Sequence, residues 1–87
     1  MMTQHEKVLR YMVEHKNGIT IREGFIKLNI NWTHKRIAEL EEMGVKIKRL
    51  TEARDGVAFR RYKLEEPEQE RIKELLEAWA PKTKETA

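Results

Sequence analysis

Residues 19–44 read ITIREGFIKLNINWTHKRIAELEEMG, and the fold depends on how this stretch divides. Thr20 and Glu23 stand at capping-box spacing, where each side chain can bond the other's otherwise unpaired backbone N–H. Ile21, Phe25 and Leu28 follow at i, i+4 and i+7, which reads as one buried face of a helix. That helix stops near Asn29, because asparagine enters the left-handed conformation more readily than most residues. Ile30 is then placed to plug the gap between two helices, and Asn31 to cap the second. The second helix is expected over residues 32–43, with Gly44 closing it. On a helical wheel Ile37, Leu40 and Gly44 face inward with Thr33 beside them, while Trp32, Lys35, Glu39 and Glu42 face out. Arg36 and Ala38 flank the outer set, and His34 falls nearer the core edge. Gly24 costs about 1 kcal/mol inside the first helix relative to alanine. Either it admits a crossing helix or it is merely tolerated. The product is two short helices and a tight turn, a shape that can present its second helix to the groove of a duplex.

The flanks decide whether that shape has company. Before it, residues 3–16 read as a helix: Thr3 and Glu6 have capping-box spacing, Val8, Leu9 and Met12 share a face, and His15 and Lys16 suit the negative end of the helix dipole. Asn17-Gly18 ends it. After it, residues 45–64 read as a β-hairpin. Val45, Lys46, Ile47 and Lys48 alternate inward and outward, Asp55-Gly56 marks the turn, and Tyr62 and Leu64 point opposite to Arg61 and Lys63. The hairpin tip should project from the core. A last helix is expected from Glu66-Pro67, proline being favoured at the first helical position. Ile72, Leu75, Leu76 and Trp79 form its apolar stripe. Pro81 stops it, and residues 82–87 are expected to be disordered. The division is thus 1–65 for the main domain, 66–80 for the C-terminal helix and 81–87 for the tail.

An 87-residue chain makes one domain of modest core. It contains no cysteine and no serine and a single aspartate, so disulfides, thiolate metal sites and most covalent nucleophiles are excluded. The three histidines, His5, His15 and His34, are scattered, with no metal-binding spacing. An enzyme is not expected, nor a cofactor or metal. No apolar run approaches the ~20 residues of a membrane span, and no secretory leader is recognisable, so a cytoplasmic setting is expected. Asn31-Trp32-Thr33 then matches the glycosylation pattern by chance. The net charge of +3 is unevenly distributed: zero over residues 19–44, +5 over 45–64 and −3 over 65–87. A basic hairpin beside an acidic tail suits a polyanion partner, although a solvated hairpin face would look the same.

Three helices followed by a two-stranded wing define an α+β chain of the winged helix-turn-helix type, here with an extra C-terminal helix. Residues 3–65 resemble the small winged-helix DNA-binding proteins of bacteria and their phages, and are similar to the N-terminal DNA-binding domain of biotin repressors. The run from Ile37 to Val45 and the closing Tyr62-Lys63-Leu64 carry the likeness, while Ile19-Thr20, Leu28, Ile30 and Arg36-Ile37 are shared with small phage proteins. The chain departs from the pattern at Asn29, where glycine is usual, and at Thr33, where an apolar residue is expected.

The resemblance implies a double-stranded DNA partner, with helix 32–43 in the major groove and its first turns nearest the bases. Asn31 can pair with adenine if it is not capping. Lys35 and Arg36 can donate to guanine or phosphate, and Trp32 and His34 stand beside them. In the wing, Lys48, Arg54, Arg60 and Arg61 are the candidates for phosphate or minor-groove contact. Thr20 and Arg22 can hold one phosphate at a helix start. Glu39 and Glu42 repel phosphate, which either confines base reading to the first two turns or makes Glu39 an acceptor for cytosine. A regulator of transcription or a phage or mobile-element accessory factor would fit. Ile72, Leu75, Leu76 and Trp79 form either a homodimer seam or a face packed within the chain. The rival reading is a winged-helix module that binds a transcription or replication protein through Trp32, the outward acids and the C-terminal stripe.

Overall fold

The structure, a computed structural model, describes residues 3–79. The chain runs α1 (Gln4–Glu14), β1 (Ile19–Thr20), α2 (Ile21–Leu28), α3 (Thr33–Glu42), β2 (Ile47–Arg54), β3 (Val57–Leu64) and α4 (Glu70–Trp79). It is an α+β fold of four helices and a three-stranded antiparallel sheet of order β1-β3-β2.

Local chemistry explains most boundaries. Thr20 is extended at the start of α2 and forms the complete capping box with Glu23: the Glu23 N–H donates to Thr20 Oγ1 at 3.0 Å, and the Thr20 N–H donates to Glu23 Oε1 at 3.1 Å. Asn29 ends α2 in the left-handed region at φ 58°. At the hairpin tip Asp55 and Gly56 both have positive φ, 54° and 78°. That is the two-residue turn whose twist matches paired strands, and it sets the register from Arg54 opposite Val57 back to Ile47 opposite Leu64.

Other boundaries differ from the sequence expectation. The Thr3–Glu6 box is only half made. The Glu6 N–H donates to Thr3 Oγ1 at 3.3 Å, but the buried Glu6 carboxylate takes a hydrogen bond from Arg10 Nε at 2.9 Å instead of reaching back. Helix α1 closes at Glu14, so His15 is its cap and Lys16 lies beyond it. Asn31 does not cap α3. Trp32 occupies the cap position with no side-chain bond, and the helix starts at Thr33. Pro67 lies outside α4, whose start falls at Glu70 because Gln69 is held elsewhere. The Gln69 amide accepts from the Lys46 N–H at 2.8 Å and donates to the Lys46 carbonyl at 2.8 Å, extending the sheet edge with a side chain. The expected helix end at 80, the stop at Pro81 and the tail 81–87 lie outside the described residues.

Strand β1 was not anticipated. Ile19 pairs with Tyr62 and Thr20 with Arg61, which ties the approach to α2 onto β3. Gly18, at φ +77°, makes this possible, since a Cβ there would overlap the Tyr62 carbonyl.

One apolar cluster joins Val8, Leu9 and Met12 of α1, Ile37 and Leu40 of α3, Ile30 between α2 and α3, Ile19, Val45, Ile47, Tyr62 and Leu64 in and beside the sheet, and Ile72 and Leu75 of α4. Ile30 is 1 % exposed and fills the helix-to-helix gap as its position suggests. Of the expected buried face of α2 only Leu28 packs against the core, half-buried. Ile21 and Phe25 are 43 % and 55 % exposed, and the only buried residue of α2 is Gly24. A Cβ on Gly24 would overlap the Thr33 hydroxyl and stand 3.1 and 3.2 Å from the Thr33 Cβ and Cγ2. Glycine therefore lets α2 lie directly on the first turn of α3. Thr33 itself is fully buried, and its Oγ1 has no hydrogen-bond partner among the described residues.

Candidate nucleic-acid interface

The start of α3 presents Asn31, Trp32, His34 and Lys35 to solvent. Trp32 is 59 % exposed, more than an aromatic ring needs if it served only its own fold. The Trp32 and His34 rings meet edge to face at 6.0 Å, and the Lys35 ammonium sits 5.4 Å from the Trp32 ring centroid. The tryptophan thus acts as a platform that holds a histidine and a lysine side by side. His34 is outward, not at the core edge. The missing Asn31 cap leaves that amide available for an external partner.

Arg36 does not join them. Its guanidinium donates to Gln4 Oε1 at 2.9 Å and pairs with Glu39 at 3.1 Å, and its Nε is buried without a partner among the described residues. Glu39 also faces His5, with 3.3 Å between Oε1 and Nδ1. Arg36 is a clamp between α1 and α3, and the expected base-reading pair Lys35-Arg36 is divided. Glu39, for its part, is engaged by two basic groups of its own chain.

Cross-strand partners share a face of a sheet and alternate along each strand. One face of the hairpin therefore holds Ile47, Leu64, Arg49 and Tyr62 over the core and continues to Thr51, Arg60, Ala53 and Ala58 near the tip. The other, outer face holds Lys48 opposite Lys63, Leu50 opposite Arg61, Glu52 opposite Phe59 and Arg54 opposite Val57. Of the four expected wing contacts, Lys48, Arg54 and Arg61 share this outer face and Arg60 stands on the opposite one. Lys63 joins the outer set and was missed. The signal was present, because a two-residue turn at Asp55-Gly56 fixes Lys48 against Lys63 by counting. An open recess of about 290 Å³ on this face is lined by Asn17, Leu50, Glu52, Arg54, Arg61 and Lys63.

The cations of the sheet differ in what they already hold. Arg61 donates to Glu52 at 3.0 Å, to Glu23 at 3.2 Å and to the Asn17 carbonyl at 3.4 Å, with its side chain 16 % exposed. Burial opposes its charge, but Glu52 and Glu23 outweigh burial and raise its pKa above the ordinary arginine value. Arg49 makes a two-pronged pair with Glu41 at 2.7 and 2.8 Å and lies 5.5 Å from the Tyr62 ring. The Arg49 hydrogen bonds hold the Glu41 carboxyl below its ordinary range. Both arginines are internal ties, one from β3 to α2 and the other from β2 to α3. Lys48, Lys63, Arg54 and Arg60 enter no ion pair among the described residues.

Thr20 is buried, its N–H donates to Glu23 and its hydroxyl accepts from the Glu23 N–H, so it serves the α2 cap. Arg22 is exposed beside it. In the C-terminal stripe, Ile72 and Leu75 are 3 % and 8 % exposed, and Leu76 and Trp79 pack against the same core. Trp79 stacks at a tilt on His5 at 5.3 Å, and Arg71 donates from Nε to the Met43 carbonyl. The face considered for a dimer seam is thus turned onto the chain's own α1 and α3. No described helix is long and apolar enough to cross a membrane. Among the described residues no group of three or more His, Asp or Glu side chains is placed to hold a metal ion. Comparisons with protein-family models, with curated proteins and with solved structures give no significant match.

Proposed function

We propose that this chain is a double-stranded DNA-binding protein of the winged helix-turn-helix type. In this reading the start of α3 lies in the major groove and the outer face of the hairpin lies along the phosphates. The observation that carries it is Lys48 held opposite Lys63, with Arg54 further along the same face at the hairpin tip, all without acidic partners among the described residues. Like charges directly opposite on a sheet are destabilising, and a phosphate backbone along that face turns the repulsion into attraction. Asn31, Trp32, His34 and Lys35 supply the second contact. The amide and the ammonium suit base edges, and the indole suits a sugar or a thymine methyl. Arg36, Arg61 and Thr20 support these surfaces without touching DNA. The biological setting that fits is transcription regulation or an accessory role in a phage or mobile element.

The test is titration against mixed-sequence duplex DNA at two salt concentrations. Lys35, Lys48, Arg54 and Lys63 together give an expected slope of log K against log salt of about −3.6, at about 0.9 per phosphate. Affinity should then fall by roughly 150-fold between about 50 and 200 mM salt. Failure to bind at about 50 mM would sink the proposal. Selection of bound duplexes from a random pool, repeated with Lys35→Ala, separates base reading from backbone contact: the variant should lose preferred sites more than random ones.

A further inference from the structure

The DNA reading leaves one surface unused. Helix α2 turns Ile21, Phe25 and Ile26 to solvent at 43 %, 55 % and 60 % exposure. Ile21 and Phe25 are neighbours at i and i+4, and so are Arg22 and Ile26. Three large apolar side chains therefore share one flank of a two-turn helix with an arginine set among them. A single exposed aliphatic residue is ordinary, whereas a contiguous group is not. The fold does not require it. Gly24 makes the close packing of this helix, and Leu28, at its C-terminal end, is the one large apolar side chain of α2 that packs against the core.

The charge around the group has one sign. Arg22 and Lys27 are exposed and enter no ion pair among the described residues. The one carboxylate of the helix, Glu23, is turned away to the Thr20 N–H and to Arg61. The size also limits the occupant. Exposed parts of three such side chains amount to roughly 300 Å², well short of the ~800 Å² per partner of a stable dimer between folded chains. A short segment fits, and a second folded copy does not. Phosphate backbones are poor partners for a half-exposed phenylalanine.

We propose that the outer face of α2 docks an acidic amphipathic helix of another protein. Apolar residues of that helix, at i, i+3, i+4 and i+7, cover Ile21, Phe25 and Ile26, and flanking carboxylates pair with Arg22 and Lys27. This does not depend on the DNA proposal and uses none of its contacts.

The probe is a fluorescein-labelled peptide about four turns long, with Leu and Phe on one face and Glu on both flanks. Its twin carries Lys for every Glu. The acidic peptide should saturate the intact protein with a Kd on the order of 10 µM, and roughly tenfold or more tighter than the twin. The double variant Phe25→Ser with Ile26→Ser should keep its thermal melt, since both side chains are exposed, and lose roughly tenfold in peptide affinity. Arg22→Glu with Lys27→Glu should invert the preference towards the lysine twin. No binding of the acidic peptide, equal binding of the twins, or undiminished binding by the serine variant each overturns the proposal. So does a serine variant that loses duplex DNA affinity, or that turns a dimer into a monomer in sedimentation, because the face would then serve DNA or a second copy.

Discussion

Replacing Gly24 with alanine should destabilise this protein although it improves an exposed helix on paper. In a helix interior the change gains about 1 kcal/mol of intrinsic propensity. Here the new Cβ overlaps Thr33 Oγ1 and comes within 3.1 and 3.2 Å of the rest of that side chain. Thr33 is fully buried and restricted at χ1, and its Cβ, which no rotation moves, already stands 3.1 Å away. The helices must separate, and overpacking of this kind costs about 3 kcal/mol at the upper end of its range. The net loss is then about 2 kcal/mol, or a fall in Tm of roughly 8–16 °C for a domain of this size. The double variant Gly24→Ala with Thr33→Ala removes the obstacle. It also removes a buried hydroxyl that lacks a partner among the described residues, whose desolvation costs about 1–3 kcal/mol. It should melt at or above the parent, so the two changes should be strongly non-additive. Thermal and urea melts of the parent, both single variants and the double variant decide it. A Gly24→Ala protein that melts higher than the parent, or effects that simply add, would refute the contact.

Further outcomes follow from the ties, the unpaired cations and the C-terminal packing described above. Arg61→Ala should lower stability by about 1–2 kcal/mol by leaving Glu23 and Glu52 without their hydrogen-bonded cation, yet leave the salt slope of duplex binding unchanged. Arg54→Ala should do the reverse, flattening the slope by about 0.9 with no change in the melt. Arg49→Met should destabilise at neutral pH. The folded-state pKa of Glu41 is depressed, so the contribution of the pair is full above the ordinary glutamate value and is lost as the pH falls through the depressed one. The gap in Tm between Arg49→Met and the parent should therefore close as the pH drops below about 4. Deleting residues 66–87 uncovers the sites of Ile72 and Leu75, whose burial contributes roughly 3–6 kcal/mol together; the shortened chain should be largely unfolded by circular dichroism, and Leu75→Ala alone should cost about 2–4 kcal/mol.

What could be read from the sequence was the chemistry that acts within a few residues. The Thr20–Glu23 box, the left-handed Asn29, the buried Ile30 and the Asp55-Gly56 turn are each complete within about four positions, and each lies where the sequence places it. Misreadings arose where a second group competes for the same side chain. Glu6 turns to Arg10, four residues on in the same helix, instead of to the cap, and Gln69 turns to the distant Lys46 backbone. Strand β1 is too short to show a period and exists because Tyr62 and Arg61 lie opposite it. The stripe of α2 was misjudged because Gly24, lying on Thr33, tilts the contact so that only Leu28 of the i, i+4, i+7 set reaches the core, and spacing does not record which end of a stripe is covered. At the candidate site the residue types were legible and their availability was not. Arg36 and Arg61 look like Lys35 and Arg54 in the sequence, and differ by the carboxylates that the fold brings to them.

Glu23 serves two partners far apart in the chain: Thr20, three residues before it, and Arg61, 38 residues after it. Closing a loop of that length costs roughly 3 kcal/mol of chain entropy, whereas the cap can form as soon as α2 does. A glutamate free to rotate would lose up to about 1.5–2 kcal/mol of side-chain entropy on docking. In this chain one ordered carboxylate serves both bonds, so that entropy is lost once for two interactions. The start of α2 and strand β3 therefore stabilise one another, and the pairing of Thr20 with Arg61 is favoured over a shifted register.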